Sequence, residues 1–285
     1  MTGKTITSKA KPCSSLKQAI TERRAVLAPF VFDGLQARLA EAAGFEAVYM
    51  TGFGSAASRG MPDVGLLTMT EMVANAYMLA QAVAIPVICD ADTGYGNALN
   101  VARTVQEYQR AGAAALHIED QVFPKRCGFL DGKEVIPLAD MLPKVRAAVD
   151  ARVGDFVVIA RTDALQPEGW DSVERRARAF IEAGADLVFV DGIRSRKDLD
   201  EYCRRLGDLP LLYNGGLEPF EDLARRGFRL VIHPGPMLRL FEHVRDSMRE
   251  LKREGRLDAA RPTFGELLDV LGAPDALAFG KRYEQ

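Results

Sequence analysis

Residues 86–97, PVICDADTGYGN, run from an apolar stretch into two carboxylates, Asp90 and Asp92, and a glycine-containing turn. The apolar part reads as a strand buried on both faces. Two carboxylates at the tip of such a strand are costly unless a cation or a reaction occupies the space between them. The plain alternative is a strand end that emerges into water and turns on Asp and Gly. The pattern recurs along the chain, because other strand-like runs reach Asp33, Thr51, Glu119, Arg161, Asp191, Asn214 and His233. Asp90, Asp92 and Glu119 are hard oxygen donors with few histidines or thiols near them in sequence, a set that suits Mg²⁺ or Mn²⁺. Arg161 can take a substrate carboxylate in a forked contact, and backbone N–H groups of Thr51, Gly52, Phe53 and Gly54 can face a second anion. Any one of these residues alone is more often a cap or a solvated side chain. Eight strand ends of this kind on one rim are hard to explain that way.

A second chemical feature is the polar segment 121–137, QVFPKRCGFLDGKEVIP, which is long for a connection inside a compact domain. It carries Cys127 between Lys125–Arg126 and Gly128–Phe129. Neighbouring cations lower the pKa of a thiol and make it a usable proton donor or acceptor near neutrality. A buried inert thiol suits Cys89, inside its apolar strand, better than it suits Cys127.

The elements that must position these groups alternate. Apolar strands at 28–32, 45–50, 86–90, 114–120, 155–163, 186–191, 209–214 and 228–233 are separated by helical stretches. One helix is 33–44, with Leu35, Leu39 and Ala42 on one face and Gly44 as its stop. Asn97 is placed to cap a helix starting at Ala98, and Pro143 is expected in the first turn of a helix over 138–150. The connections AAGFEAVYM, RAGAAALHIE, EAGADLVFV and RRGFRLVIH share one pattern. Alternating β and α elements imply a parallel sheet, and eight such units match a (β/α)₈ TIM barrel, for which about 250 residues is typical. A doubly wound open sheet is the other architecture, and it is weakened by the absence of a GxGxxG turn after the first strand. Residues 1–15 read as a flexible leader and 16–285 as one barrel domain. Its C-terminal helical segment 236–285, including a long helix over 238–254, exceeds what a barrel needs to close.

With 37 basic and 39 acidic residues the net charge is −2, so nothing points to a nucleic acid or an anionic membrane surface. No apolar run approaches the roughly 20 residues that span a bilayer, and the N-terminus lacks the apolar core of a secretory signal. Cysteines 13, 89, 127 and 203 have neither metal-type nor disulfide-framework spacing. A reduced, cytoplasmic protein is expected.

The segments TGFGSAASRGMPD, DADTGYGN, HIEDQVFPKRCG and IARTDA, in this order over roughly residues 25–235, resemble the isocitrate lyase/phosphoenolpyruvate mutase superfamily. The resemblance implies a Mg²⁺-dependent enzyme that handles 2-oxo or 2-hydroxy carboxylates through an enolate-like intermediate. It implies Asp90 as the direct metal ligand, with Asp63, Asp92 and Glu119 acting through water. It places the substrate-gripping arginine at Arg161, carboxylate-binding amides at Thr51, Gly52 and Phe53, and the family's asparagine at Asn214. Segment 121–137 corresponds to a mobile gating loop. It further implies an eighth helix exchanged between subunits, hence a homotetramer made of helix-swapped dimers.

Within that superfamily, Lys125-Arg126-Cys127-Gly128 resembles the branch that breaks carbon–carbon bonds, such as methylisocitrate and dimethylmalate lyases. Two positions depart from it: Phe129 replaces a histidine, and Asp191 stands where glutamate is usual. Both bear on the substrate and leave the metal–enolate machinery intact. Phe129 either faces substrate, favouring an acid without the extra carboxylate of isocitrate, or packs under the closed loop. The expected activity is a carbon–carbon lyase on a small 2-hydroxy or 2-oxo dicarboxylate, with Cys127, Lys125 and Arg161 as catalytic residues and Gly128, Phe129, Asp191 and Asn214 against the substrate. The alternatives are oxaloacetate hydrolysis or decarboxylation, phosphonate chemistry of the same superfamily, or a barrel that binds a carboxylate without turning it over.

Overall fold

The structure is a computed structural model that describes residues 14–128, 130–258 and 263–284. Phe129 therefore lies outside the described residues, as do the first thirteen residues of the expected leader. Eight strands form a closed barrel in sequence order, every pairing parallel. They are β1 (Val26–Val31), β2 (Val48–Met50), β3 (Val87–Asp90), β4 (Ala115–Glu119), β5 (Val157–Thr162), β6 (Leu187–Val190), β7 (Leu211–Asn214) and β8 (Phe228–His233). The helices are α1 (Ser14–Thr21), α2 (Gly34–Ala42), α3 (Gly52–Ala57), α4 (Met69–Ala82), α5 (Ala98–Arg110), α6 (Leu138–Ala151) and α7 (Leu165–Glu168). They continue with α8 (Trp170–Glu182), α9 (Arg196–Leu206), α10 (Phe220–Arg225), α11 (Gly235–Glu254), α12 (Phe264–Val270) and α13 (Ala273–Gly280). The open-sheet alternative is thereby excluded.

Strand alternation sorts the core into two layers. Ile88, Ala115, Val157, Ile159, Leu187, Phe189, Leu212, Leu230 and Ile232 fill the barrel interior. Their sequence neighbours Val87, Cys89, Leu116, Ile118, Val158, Ala160, Val188, Val190 and Val231 pack outward under the helices. Side chains two apart share a face. The inward phase of Ile88, Ala115, Val157, Leu187 and Leu212 therefore carries Asp90, Glu119, Arg161, Asp191 and Asn214 to the inner rim at the C-terminal end. In barrels of this kind that end carries the chemistry.

Local sequence signals explain several elements. Asn97 caps α5 by accepting from the N–H groups of Leu99 and Asn100, and Asn100 reaches back to the Asn97 N–H. Gly44, at φ 88°, ends α2. Three expectations need correction. Ser14 and Ser15 are helical rather than leader, and α1 puts Leu16, Ala19 and Ile20 into the interior cluster, closing the N-terminal end of the barrel. In α2 the residues against the core are Ala37 and Ala40, while Leu35 and Leu39 are exposed, because small side chains let this helix lie close to its neighbours. Pro143 sits inside α6, beyond the first turn, where the ring removes one backbone bond.

Candidate active site

Asp33 and Thr51, two of the strand-end candidates, are caps. Asp33 accepts from the Gln36 N–H at the start of α2, and Thr51 Oγ1 accepts from the Gly54 N–H at the start of α3. His233 Nδ1 accepts from the Gly235 N–H at the start of α11. The remaining ends converge. Asp90 Oδ1 accepts from the Asp92 N–H at 2.9 Å and Oδ2 from the Gly52 N–H at 3.2 Å. Beneath them the Tyr49 hydroxyl lies 2.7 Å from His117 Nε2 and 3.5 Å from Asp90 Oδ2. Burial holds the His117 imidazole down at about 4, so it is neutral near pH 7.

The approach of α3 to Asp90 is close because residue 52 is glycine. A Cβ there would stand 2.6 Å from Asp90 Oδ2. Of the three amides expected to bind a carboxylate, that of Gly52 is committed to Asp90 and that of Thr51 donates to the Val31 carbonyl. Asp92 adopts a left-handed backbone, φ 46°, an uncommon state for a non-glycine residue and one that clusters at functional sites.

Segment 121–137 folds over this rim. Its ends pair through an antiparallel bridge between Gln121 and Val135. Lys125, almost fully buried, forms ion pairs with Asp63 and, at 3.0 Å, with Asp92. Burial pulls its pKa down, but Asp92, Glu119, Asp90 and Asp63 together raise it well above the usual lysine value. Lys125 is therefore a fixed cation of the carboxylate cluster. Arg126 is likewise engaged, through Nη1 to the Asp131 carbonyl. Cys127 is buried, 7 % exposed.

Arg161 lies in a cage of acids. Its Nε and Nη2 hold Asp163 in a two-point contact at 2.8 and 3.0 Å, Glu119 Oε2 is 3.2 Å from Nε, and Asp191 Oδ2 is 3.4 Å from Nη2. The guanidinium stacks over the Phe189 ring, 5.0 Å from its centre. Its Nε–Nη2 edge is thus taken, which leaves the Nη1 side for a ligand. Asp163 was not singled out from sequence, although its spacing of two from Arg161 would have put it on the same side of the chain. Lys133 was also missed, since DGKE reads as an exposed turn. It is buried and contacts both Asp163 and Asp191 at 3.1 Å.

Six carboxylates (Asp63, Asp90, Asp92, Glu119, Asp163 and Asp191) face three cations, Lys125, Lys133 and Arg161. Glu119 is fully buried, and neither of its oxygens, nor Asp92 Oδ1, makes a hydrogen bond of good geometry. Burial raises the Glu119 pKa well above the usual carboxyl value, and the same cause lifts Asp92 to about 6. Asp90 goes the other way: burial pushes it up, but Lys125, Arg161 and the Asp92 N–H bond outweigh burial and hold it down. Buried carboxylate oxygens whose only partners are ion-pair contacts leave room for an ion or water, and an all-oxygen donor set fits a hard divalent cation. Among the described residues no three acidic, imidazole or thiol side chains converge tightly enough to ligate a metal directly. A space of about 10 Å³ between Gly52, Asp63 and Asp92 is on the scale of one water. Asn214 Oδ1 is buried without a partner on the same rim. A cavity of about 300 Å³ at the opposite end, lined by Leu16, Val26 and Ile85, touches none of these groups.

The phosphoenolpyruvate phosphomutase family model matches residues 16–252. The chain is 42 % identical over 228 residues to 2,3-dimethylmalate lyase of Eubacterium barkeri, covering 78 % of this chain and 79 % of that one. It is 41 % identical over 252 residues to 2-methylisocitrate lyase of Aeropyrum pernix, covering 86 % and 81 %. Among solved structures, oxaloacetate acetylhydrolase with the inhibitor 3,3-difluorooxalacetate superposes with a TM-score of 0.90 at 36 % identity, covering 94 % and 96 %. Phosphonopyruvate hydrolase, crystallised with oxalate and Mg²⁺, superposes with a TM-score of 0.87 at 31 % identity, covering 96 % and 99 %. The matched span takes in every strand of the barrel and the whole acidic rim, and the chain belongs to the phosphoenolpyruvate phosphomutase family, within the isocitrate lyase/phosphoenolpyruvate mutase superfamily.

Proposed function

We propose that this chain is a Mg²⁺- or Mn²⁺-dependent carbon–carbon lyase acting on a small 2-hydroxy or 2-oxo dicarboxylate. The observation that carries the reading is the position of Cys127, buried on a segment that closes over the acidic rim. The lyase names of its relatives at about 40 % identity support it. Asp90 would hold the cation directly, with Asp63, Asp92 and Glu119 holding it through water, and when bound it supplies Lewis-acid stabilisation of a developing enolate.

The chain's own residues do the rest. Arg161, fixed by Asp163, presents Nη1 to a substrate carboxylate, and the rim beside Asn214 and Asp191 receives the far end of the acid. Thr51, Gly52 and Phe53 bound the same space from the β2 end. Lys125 keeps Asp63 and Asp92 paired with the segment closed, and Gly128 lets that segment lie against Asp191. The 2-hydroxyl passes its proton to a carboxylate of the rim and becomes the carbonyl of one product, the adjoining carbon–carbon bond breaks with its electron pair on the departing fragment, and the Cys127 thiol protonates that carbanion. A positioned acid of this kind contributes about 10²–10⁴-fold. The structural likeness to oxaloacetate acetylhydrolase makes hydrolysis of a 2-oxo dicarboxylate the second reading.

The test is a panel of 2-hydroxy and 2-oxo acids assayed for pyruvate, glyoxylate and oxalate, with and without Mg²⁺. Wild-type and Cys127→Ser proteins are compared. The serine variant should lose about 10²-fold or more in kcat with little change in KM. Turnover that survives excess EDTA refutes the metal assignment, and near wild-type turnover by Cys127→Ser refutes the thiol.

We also infer a homotetramer of helix-swapped dimers. Its support is α11, twenty residues long with Met237 its one buried residue, which exposes Leu238, Phe241, Val244 and Met248. Among the described residues no helix is long and apolar enough to cross a membrane.

A further inference from the structure

We infer that Lys133 is a positioning residue, a latch that ties segment 121–137 to the barrel so that Cys127 is held against the rim. The inference rests on reading that segment as the cover of the site.

Lys133 is 4 % exposed, and its ammonium group lies 3.1 Å from each of three acceptors: the Gly128 carbonyl, Asp163 Oδ1 and Asp191 Oδ2. An ammonium has three protons to donate, and here each has an acceptor of different origin. One acceptor is backbone of the segment itself, next to Cys127. The others follow β5 and β6. Both carboxylates are buried, so their bonds to a cation are of the strong, charge-assisted kind.

The contact is tight on the other side as well. A Cβ on Gly128 would lie 2.2 Å from Asp191 Oδ2 and 2.8 Å from its Cγ, so the segment rests directly on that carboxylate. The stem is held separately. Arg176 Nη1 bonds Asp120 Oδ2 at 3.1 Å and the Ile136 carbonyl at 3.0 Å, one group at each end of the segment. On the N-terminal side of Cys127, the Gln121 amide holds Arg126 by two 2.9 Å bonds. Lys133 therefore ties the C-terminal side of Cys127, which neither the stem nor Gln121 reaches, to two buried carboxylates, and the exposed Arg194 adds a bond from Nη2 to the same Gly128 carbonyl at 3.2 Å. It also shares Asp163 with Arg161, so one side chain joins the thiol's segment to the guanidinium's support.

The experiment follows alkylation of each cysteine by N-ethylmaleimide in the full-length chain, by peptide mass, in wild type and Lys133→Met. Cys127 should react about ten-fold or more faster in the variant, as expected for loss of charge-assisted bonds that close the segment. Removing a cation only lowers the thiolate fraction, so acceleration reports exposure. Cys89, fully buried in β3, is the internal control. If the Cys127 rate is unchanged, or if Cys89 accelerates to the same extent, the latch is refuted. Gly128→Ala, which lifts the segment off Asp191 without altering any charge, should also accelerate Cys127. It decides the matter if Lys133→Met fails to fold, an unchanged rate again refuting the latch. In turnover, Lys133→Met should lower kcat more than it raises KM, whereas loss of a substrate contact would chiefly raise KM. The alkylation rate does not depend on the role of Cys127 in turnover. An active Cys127→Ser enzyme would overturn the proposed acid and leave the latch standing.

Discussion

Gly52→Ala adds one methyl group where α3 meets Asp90, and the structure gives its cost. The new Cβ would lie 2.6 Å from Asp90 Oδ2 and 3.0 Å from Cγ, against about 3.5–4.0 Å for atoms in ordinary contact. Two motions could relieve the clash. Moving α3 would break the 3.2 Å bond from the Thr51 N–H to the Val31 carbonyl and pull on Asn75, whose amide bonds Ser55 Oγ at 2.8 Å. Turning the Asp90 carboxylate costs its 3.2 Å bond from the Gly52 N–H, while Oδ1 stays on the Asp92 N–H. The second is cheaper, and it displaces the proposed direct ligand. Overpacking of this size costs about 1–3 kcal/mol, which is about 5–150-fold in an equilibrium constant. Mg²⁺ affinity measured by calorimetry without substrate should fall within that range, and kcat/KM should fall at least as far. A melting curve close to wild type would show that the barrel survives. If Mg²⁺ affinity and kcat/KM both stay within about two-fold of wild type, Asp90 does not need its present position and the metal assignment is wrong.

Lys125→Met removes a cation that the proposed metal must share Asp63 and Asp92 with, so Mg²⁺ should bind about ten-fold or more tightly while turnover falls. Weaker binding would mean that Lys125 serves chiefly to hold those acids in place. Burial raises the Asp163 pKa, but Arg161 and Lys133 outweigh it and bring the group down to about 2. A carboxyl whose folded pKa lies below its unfolded one stabilises the fold above about pH 4 and loses that contribution as pH falls toward about 2. The stability gap between wild type and Asp163→Asn, of order 2 kcal/mol in its pH-dependent part, should shrink over that window; a constant gap in denaturant titrations would refute the assignment. The full-length chain should elute as an assembly larger than its 31.2 kDa monomer, and truncation after Pro236 should give insoluble or unfolded protein. A monomer at micromolar concentration would count against the helix-swapped arrangement.

The barrel was legible because its signals are local and repeated. A glycine stop such as Gly44 and a cap such as Asn97 act within a few residues, and strand alternation then fixes which side chains face inward. The expectations that failed involve packing between distant elements. Apolar spacing in α2 picks out Leu35 and Leu39, yet Ala37 and Ala40 touch the core. Nothing in residues 14–21 announces that Leu16 will close a barrel whose interior includes Ile232, 216 positions away (232 − 16).

The strand-borne groups of the site were legible for the same reason as the barrel, since Asp90, Glu119, Arg161 and Asp191 follow from strand phase. The groups that neutralise them were not, because two of the three cations come from the segment rather than from strands. Lys125 was read as the neighbour of a thiol, but its ammonium group belongs to Asp63 and Asp92, the former 62 residues away. Lys133 looked like a turn lysine and lies against Asp191, 58 residues away. This arrangement has an energetic consequence. With the segment lifted, Arg161 alone would face six carboxylates, and buried charges without partners are costly. Closing the segment therefore supplies positive charge to the rim in the same motion that delivers Cys127. A sequence shows which residues could carry a charge, but the pairing that makes a buried carboxylate tolerable appears only when the segment is folded over it.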